Sequence, residues 1–89
     1  MRKILVFIKC EMGRTYDVAE KIVWGDLCPR LDSISGDYDL FAEFHVGPDD
    51  NIADLIAKHF HSVPGVKDTN TVICFNTFTR DRGVKDTNG

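Results

Sequence analysis

The sequence predicts an α+β protein with a ferredoxin-like βαββαβ sandwich, in which two helices cover one face of a four-stranded antiparallel sheet. The periodicity of apolar residues supports this fold class. In some segments they alternate with polar residues, as in strands, and in the segments between they recur every third or fourth position, as in helices. The chain has 89 residues, which suits one such domain, and we assign it to residues 1–76.

The first strand and the first helix are predicted in the N-terminal third of the chain. Residues 4–10 are rich in β-branched and aromatic side chains, which indicates a mostly buried strand. After Gly13 the spacing becomes helical, and the predicted inner stripe of the helix is Tyr16, Val18, Ala19, Ile22 and Val23. Gly25 and Pro29 follow where such a helix is expected to end.

Two strands are predicted next, joined by a turn. Residues 30–35 form a short alternating segment, and Gly36 with Asp37 supplies the residue types that turns favour. Residues 38–46 then alternate throughout, which is the strongest strand pattern in the chain.

The second helix and the last strand complete the fold. Gly47 and Pro48 end the preceding strand, and Asp49 or Asp50 is expected to cap the helix. The predicted inner stripe of this helix is Ile52, Leu55, Ile56, His59 and Phe60. Residues 66–78 are rich in threonine and valine, which favours a strand.

One face of the predicted sheet is left without a helix. We expect this face to hold Phe41, His45 and one set of alternate residues of the last strand. A domain this small buries little more than about 60% of the surface of its unfolded chain, so association is a common way to gain stability. An uncovered sheet with aromatic residues therefore predicts a homodimer in which two sheets pair face to face.

Composition excludes several classes of protein. The net charge of −3 argues against direct binding to nucleic acid, which normally needs a basic surface. The apolar run near the N-terminus is too short for a secretory signal, and no run is long enough to span a membrane. The three cysteines, Cys10, Cys28 and Cys74, are odd in number and far apart, so we expect reduced thiols, with Cys10 and Cys74 as small buried residues. These features suggest a cytoplasmic protein.

The C-terminal segment contains a duplication. Residues 65–70 recur letter for letter as residues 83–88. A single recurrence does not indicate a repeat protein, which would need several units. We predict a poorly ordered tail over residues 77–89. The alternative is that the copy imitates the start of the last strand and pairs along a sheet edge.

No catalytic motif is present, and we expect no catalytic residue, no cofactor and no metal. His59 and His61 are two positions apart, which on a helix directs them to different sides, so a shared metal ion is not expected. His45 could act as a general base on the open face, but an interface or surface histidine is the simpler interpretation.

The turn between the second and third strands offers a candidate site for a small ligand. Asp37 and Asp39 flank Tyr38, and alternation places the two carboxylates on one side and the ring on the other. Asp37 and Asp39 could simply form the turn and start the strand. Alternatively, backbone N–H groups around Gly36 could hold a carboxylate while an acidic side chain holds an ammonium group, the two ends of an α-amino acid.

Thr69 and Thr71 share one face of the last strand. Their hydroxyl groups could add hydrogen bonds to such a ligand. Threonine is also common in strands for its β-propensity alone, so this interpretation stays open.

The run from Gly36 to Leu40, and residues 63–71 leading into the last strand, resemble the effector-binding domain of the Lrp/AsnC regulators, also called the RAM domain. The resemblance covers residues 3 to about 76. It implies dimers that assemble further into larger homo-oligomers, with an amino-acid effector bound between dimers. The site residues it implies are Gly36, Asp37, Tyr38, Asp39, Thr69 and Thr71. Members usually carry a helix-turn-helix, so this chain looks like the stand-alone form, which could act by hetero-assembly with full-length Lrp/AsnC regulators.

Two other functions remain possible. The same strand order occurs in small dimeric α+β-barrel enzymes of monooxygenase or isomerase type, for which His45, Asp39 and Tyr38 would be the candidate residues. A cavity of several hundred Å³ within one subunit would favour such an enzyme. The third possibility is an assembly module that binds no ligand.

Overall fold

The computed structural model describes residues 2–27, 29–80 and 83–85, the last three by their backbone. Cys28, one of the cysteines expected to be reduced, lies outside the described residues. No helix in the described parts of the chain is long and apolar enough to cross a membrane. The strands and helices are β1 (Arg2–Cys10), α1 (Thr15–Val23), β2 (Arg30–Ser33), β3 (Leu40–Val46), α2 (Ile52–Ile56, continued by a π-helical turn Ala57–His61), β4 (Val66–Ile73), β5 (Thr77–Thr79) and β6 (Gly83–Lys85).

The main sheet has four strands in the order β2-β3-β1-β4, and every neighbouring pair is antiparallel. Strand β3 lies between β1 and β2 in the sheet, so the connection from β1 to β2, which contains α1, crosses over β3. In the same way α2 passes over β1 on its way from β3 to β4. The predicted ferredoxin-like α+β fold is confirmed.

The core forms between the two helices and one face of the sheet. Every second residue of the central strands is buried: Ile4, Val6, Ile8 and Cys10 in β1, and Leu40, Ala42, Phe44 and Val46 in β3. Val18 and Ile22 from α1 and Ile56 and Phe60 from the α2 segment cover them. The rings of Phe44 and Phe60 stack with centroids 5.7 Å apart, which joins β3 to the second helix.

The inner stripe of α1 is narrower than the sequence predicted. Val18 and Ile22 are buried, but Tyr16 is 88% exposed and Val23 is 37% exposed. A helix that packs on a sheet buries a stripe of about 100°. Residues 18, 19 and 22 fill that stripe, and at helical spacing Tyr16 and Val23 lie to one side of it.

The start of α2 also differs from the prediction. Asn51 is the N-cap, and its Oδ1 accepts a hydrogen bond from the backbone N–H of Asp54 at 3.1 Å. Asp50 does not cap the helix, because its carboxylate accepts a hydrogen bond from the N–H of Gly47 at 2.7 Å and closes the preceding turn. Asn51, the next residue with a side-chain oxygen, therefore caps the helix.

The predicted last strand is divided in two. Strand β4 ends at Ile73, and the N–H of Cys74 makes a final bond to the carbonyl of Lys3 at 3.0 Å. Cys74 is half-buried, whereas Cys10 is buried as predicted, and both are free thiols.

The C-terminal copy of the duplication begins in β6. This strand pairs with β5 in a separate two-stranded sheet, not with an edge of the main sheet. Residues 81, 82 and 86–89 lie outside the described part of the chain. The expected poor order of residues 77–89 stays a prediction.

The second face of the main sheet has no helix over it, and we call it the open face. Its strand pairs include Phe7 with Phe41, Lys3 with His45, and Leu5 with Val72. The predicted placement of Phe41 and His45 on this face is therefore correct. Phe7 and Phe41 have ring centroids 4.9 Å apart, so the centre of the open face is aromatic.

Candidate functional site

The loop between β2 and β3 is fixed to the end of β1 by backbone hydrogen bonds. The N–H of Asp39 donates to the carbonyl of Ile8 at 2.9 Å, and the N–H of Ile34 donates to the carbonyl of Asp39 at 2.9 Å. Gly36, between them, has a φ of +105°, which glycine adopts without strain. We call residues 36–39 the glycine loop.

The side chains of the glycine loop point in different directions. One oxygen of the Asp39 carboxylate accepts a hydrogen bond from the partly buried N–H of Cys10 at 2.8 Å. Tyr38 lies on the open face, with its ring centroid 5.7 Å from that of Phe7. Asp37 is exposed, and its backbone carbonyl accepts a hydrogen bond from the Lys9 ammonium at 3.0 Å. Asp39 therefore has a structural role in addition to any role in binding.

A groove of about 590 Å³ lies beside the glycine loop, and we call it the loop groove. Four of its lining residues are charged, two basic and two acidic: Lys9, Lys67, Glu11 and Asp39. Charges of both signs within one small groove suit a zwitterion, because each end of the ligand meets an opposite charge. The loop groove therefore has the charge composition that a zwitterionic ligand requires.

Cys10 lies at the base of the loop groove and is 7% exposed. Burial raises the pKa of its thiol above the ordinary value; the nearby Asp39 charge raises it further, and a hydrogen bond with Thr15 lowers it. A thiol with a raised pKa is a poor nucleophile at neutral pH. Among the described residues there is no cluster of side chains that could hold a metal ion.

We expect iodoacetamide at pH 8 to alkylate Cys10 at least about tenfold more slowly than Cys74 in the native protein, because Cys10 is buried and its thiol pKa is raised. Mass spectrometry of proteolytic peptides measures the two rates separately. In guanidinium chloride the two rates should become similar. Equal rates in the native protein would show that Cys10 is accessible and would contradict this description of the groove.

Thr69 and Thr71 line a second groove, of about 470 Å³, between α2 and β4. We call it the edge groove, because β4 is an outer strand of the sheet. The Thr69 hydroxyl is 2.7 Å from Nε2 of His61, which places a hydrogen-bonded polar pair at its margin. The prediction that Thr69 and Thr71 share a face is correct, since they pair with Ile8 and Val6, two buried residues of β1.

The sequence did not indicate His61 as part of a site. The α2 segment widens into a π-helical turn, in which the N–H of Ser62 bonds to the carbonyl of Ala57, five residues earlier, at 3.1 Å. In such a turn residues five apart share a side, so Ile56 and His61 both line the edge groove. A regular helical period gives no signal for this placement.

The two sets of predicted site residues do not meet within one chain. Ile8 pairs with Leu40 on one side, next to the glycine loop, and with Thr69 on the other. Two strand spacings, about 10 Å, therefore separate the loop from the threonines. No residue lines both the loop groove and the edge groove. A small amino acid cannot contact both sets in a single protomer.

Comparison with known proteins identifies the family. The sequence matches the family described as the Lrp/AsnC ligand binding domain over residues 3–84. The chain belongs to this family. The matched region ends at residue 84, eight residues beyond the domain boundary predicted at residue 76. It therefore includes β5 and the start of β6 of this Lrp/AsnC domain. No curated protein matches it in sequence.

Solved structures share the fold of this Lrp/AsnC domain. TTHA0845 from Thermus thermophilus is 25% identical with a TM-score of 0.79, and the match covers 90% of this chain and all of that one. AsnC from E. coli is 13% identical with a TM-score of 0.76, covering 85% of this chain and 52% of that one. Transcriptional regulator NMB0573 from Neisseria meningitidis, in complex with L-Met, is 9% identical with a TM-score of 0.71, covering 83% and 49%.

The candidate residues of the alternative enzyme lie apart in this Lrp/AsnC domain. His45 is exposed on the open face, Tyr38 lies on the same face against Phe7, and Asp39 lines the loop groove. The loop groove and the edge groove each have the several hundred Å³ expected of an enzyme cavity, but Asp39 is the only one of the three candidates that lines either groove. The three candidate groups therefore do not converge in one cavity. The family and a regulator among its structural neighbours point to a regulatory domain.

Proposed function

We propose that this chain is a non-enzymatic, amino-acid-binding regulatory domain that dimerises through its open face and binds its effector at contacts between dimers. The observation that carries the proposal is the double attachment of the glycine loop. Tyr38 packs on Phe7 of the open face, while Asp39, the next residue, binds the backbone of Cys10 at the loop groove. A ligand at the loop is thereby linked to the surface that pairs with a partner.

The open face has the properties of a pairing surface. Phe7, Phe41 and Tyr38 form a ring cluster on it, and the neighbouring Val72 is 39% exposed. Large apolar side chains that lie together on a sheet gain free energy when a second sheet covers them, at about 25 cal/mol per Å² of apolar area. A second copy of this chain offers a surface of the same shape.

The separation of the glycine loop from Thr69 and Thr71 supports a site between dimers. Because about 10 Å of sheet divides the two sets in one protomer, a complete site needs the loop of one protomer beside the threonines of another. A ligand that binds only the assembled site shifts the equilibrium towards that assembly. The complex of the Neisseria regulator with L-Met supports an amino acid as the class of ligand.

The partners and location follow from the same proposal. The effector is a small amino acid, the direct partners are further copies of this chain, and hetero-assembly with full-length Lrp/AsnC regulators would convey the signal to transcription. With a net charge of −3, the chain itself makes no direct contact with nucleic acid, and it acts in the cytoplasm away from membranes.

The test is a panel of the twenty amino acids, with melting temperature and sedimentation velocity measured for each. We expect at least one to raise the melting temperature and to change the distribution of oligomers, since a ligand that binds the native assembly stabilises it. If none of the twenty changes either measurement, the chain is an assembly module and not a sensor.

Asp39→Asn separates binding from structure in this test. The amide oxygen can still accept the hydrogen bond from the Cys10 N–H, but the charge that would hold an ammonium group is lost. We expect the melting temperature without ligand to change little and the ligand-induced shift to disappear. Asp54→Asn is the matched control, because it removes the same charge from exposed α2. An unchanged shift in Asp39→Asn would exclude the glycine loop as the site.

A further inference from the structure

The two halves of the proposed effector site differ in chemistry. Four of the residues that line the edge groove are aliphatic: Ile52, Ala53, Ile56 and Ile73. Among the described residues that line this groove there is no aspartate, glutamate, lysine or arginine. The loop groove, in contrast, has two basic and two acidic lining residues. The two grooves therefore suit different parts of one ligand.

Two polar side chains of the edge groove already bind each other. The Thr69 hydroxyl and Nε2 of His61 lie 2.7 Å apart. A site that selects a polar side chain presents hydrogen-bonding groups that stay unpaired until the ligand binds. A further polar residue of the groove, Thr71, carries a methyl group beside its hydroxyl, so it can border a hydrocarbon chain. The edge groove therefore does not require a polar ligand.

The charged groups of an amino acid are better placed in the loop groove than in the edge groove. An ammonium or carboxylate group that moves from water into an apolar groove loses its hydration, and only a hydrogen-bonded partner of opposite charge compensates for that loss. The acidic and basic residues at the loop groove can supply such partners. A hydrocarbon side chain, in contrast, gains free energy when apolar walls replace the water around it.

We propose that the edge groove of one protomer receives the side chain of the effector and selects an uncharged, aliphatic one, while the loop groove of a neighbouring protomer holds the α-ammonium and α-carboxylate groups. The edge groove thereby determines which amino acids the domain senses. This inference rests on the proposed function, because the two grooves share no lining residue and meet only when protomers assemble. It goes further by assigning the class of effector.

A homologous series of free amino acids tests the inference with the full chain. Glycine, alanine, 2-aminobutyrate, norvaline and norleucine differ by one carbon atom at each step, and isothermal titration calorimetry measures the dissociation constant of each. We expect each added CH₂ group to lower the dissociation constant about three- to fourfold. The heat capacity change of binding should become more negative along the series, which marks apolar burial. Equal dissociation constants throughout would overturn the inference.

Charged amino acids of matched shape separate this inference from the proposed function. Lysine has the norleucine side chain with an added ammonium group, and glutamate has a carboxylate where norvaline has its terminal methyl group. We expect each charged amino acid to bind at least about tenfold more weakly than its aliphatic match. If a charged member binds as tightly as its match, the amino-acid site stands but the assigned side-chain class is wrong. If no amino acid binds, the proposed function and this inference both fail.

Ala53 offers a way to change the selectivity. It is exposed at the second position of α2, two residues after the N-cap Asn51. Aspartate is favourable at the start of a helix, so Ala53→Asp adds a carboxylate to the groove wall while the helix is retained. We expect the preference for norleucine over lysine to fall at least about tenfold in this variant, because the new carboxylate pairs with the lysine ammonium group.

Ala57→Asp is the matched control for this variant. Ala57 is also exposed on the α2 segment, but it does not line the edge groove. The preference for norleucine over lysine should stay within about twofold of that of the unmodified chain, since solvent and salt screen the added charge. An equal change in both variants would indicate general attraction of an acidic protein for lysine. An unchanged preference in Ala53→Asp would place the effector side chain elsewhere, and either result would refute the inference.

Discussion

Phe7→Lys is expected to leave the folded chain monomeric at concentrations where the unmodified chain is a dimer. The Phe7 ring lies within 5.7 Å of two other rings on the open face, at the centre of the proposed contact. A lysine there would bury its charge against a second sheet without a partner. We expect the dissociation constant of the dimer to rise about a hundredfold or more, which corresponds to about 2.7 kcal/mol, as measured by sedimentation equilibrium.

Two further variants keep this test decisive. Val72→Lys also places a charge on the open face but removes no ring contact, so it should dissociate the dimer without loss of monomer stability from the aromatic cluster. Phe78→Lys is the matched control, because Phe78 is 70% exposed and belongs to β5, outside the main sheet. A dimer that survives both open-face variants would mean that the chains associate through another surface.

The fold could be predicted from the sequence where strict alternation assigns each residue of a strand to one face of the sheet. Residues 40–46 alternate strictly, and Leu40, Ala42, Phe44 and Val46 are all buried as that pattern requires. The predicted inner stripe was wrong for α1, because this helix carries more apolar residues than the sheet can cover. Tyr16 fits the helical period of α1 but lies beside the stripe that the sheet can cover.

The candidate site was less predictable because its contacts join distant parts of the chain. Local alternation separates Tyr38 from Asp39, which is correct, but it places Tyr38 on the same face as the buried Leu40 and Asp39 on the same face as Phe41, which is wrong. Tyr38 packs on Phe7 of the open face and Asp39 binds the Cys10 backbone, because β3 begins only at Leu40 and the loop before it does not keep the alternation of the strand. The approach of Lys67 to the loop groove depends on how β4 pairs with β1 and has no signature near either residue. The separation of Thr69 from the glycine loop likewise depends on the strand order.

The strand order also explains why several surfaces of this small domain stay uncovered. With β1 and β3 in the centre, both edges of the main sheet stay unpaired within the described chain, and each edge adjoins a groove beside a helix. The open face is a further surface, on the opposite side from the helices. Pairing through the open face is therefore compatible with ligands at either edge.

Gly65→Ala is expected to cause the largest loss of stability of any single methyl addition discussed for this chain. Gly65 has a φ of +98°, and an added Cβ would lie 2.9 Å from Cγ2 of the fully buried Val18 and 3.1 Å from Cβ of Arg14. Neither neighbour is the free end of a flexible side chain, so the backbone must move. Strain and overpacking together should cost about 3 kcal/mol.

The backbone shift at residue 65 would also weaken the attachment of the start of β4. The carbonyl of Gly65 accepts a hydrogen bond from the N–H of Glu11 at 2.8 Å, which fixes the end of β1 to the turn before β4. For a domain of this size, a loss of about 3 kcal/mol lowers the melting temperature by roughly 12–24 °C. Differential scanning calorimetry measures this shift directly.

Gly36→Ala is the matched control, because Gly36 also has a positive φ, of +105°, but an added Cβ there meets no atom within 4 Å. Only the backbone strain remains, and we expect a loss of about 1–2 kcal/mol. The difference between the two variants therefore measures the contact of Gly65 with α1. Equal melting temperatures would mean that the turn before β4 does not press on Val18, and the described packing of α1 against this turn would be incorrect.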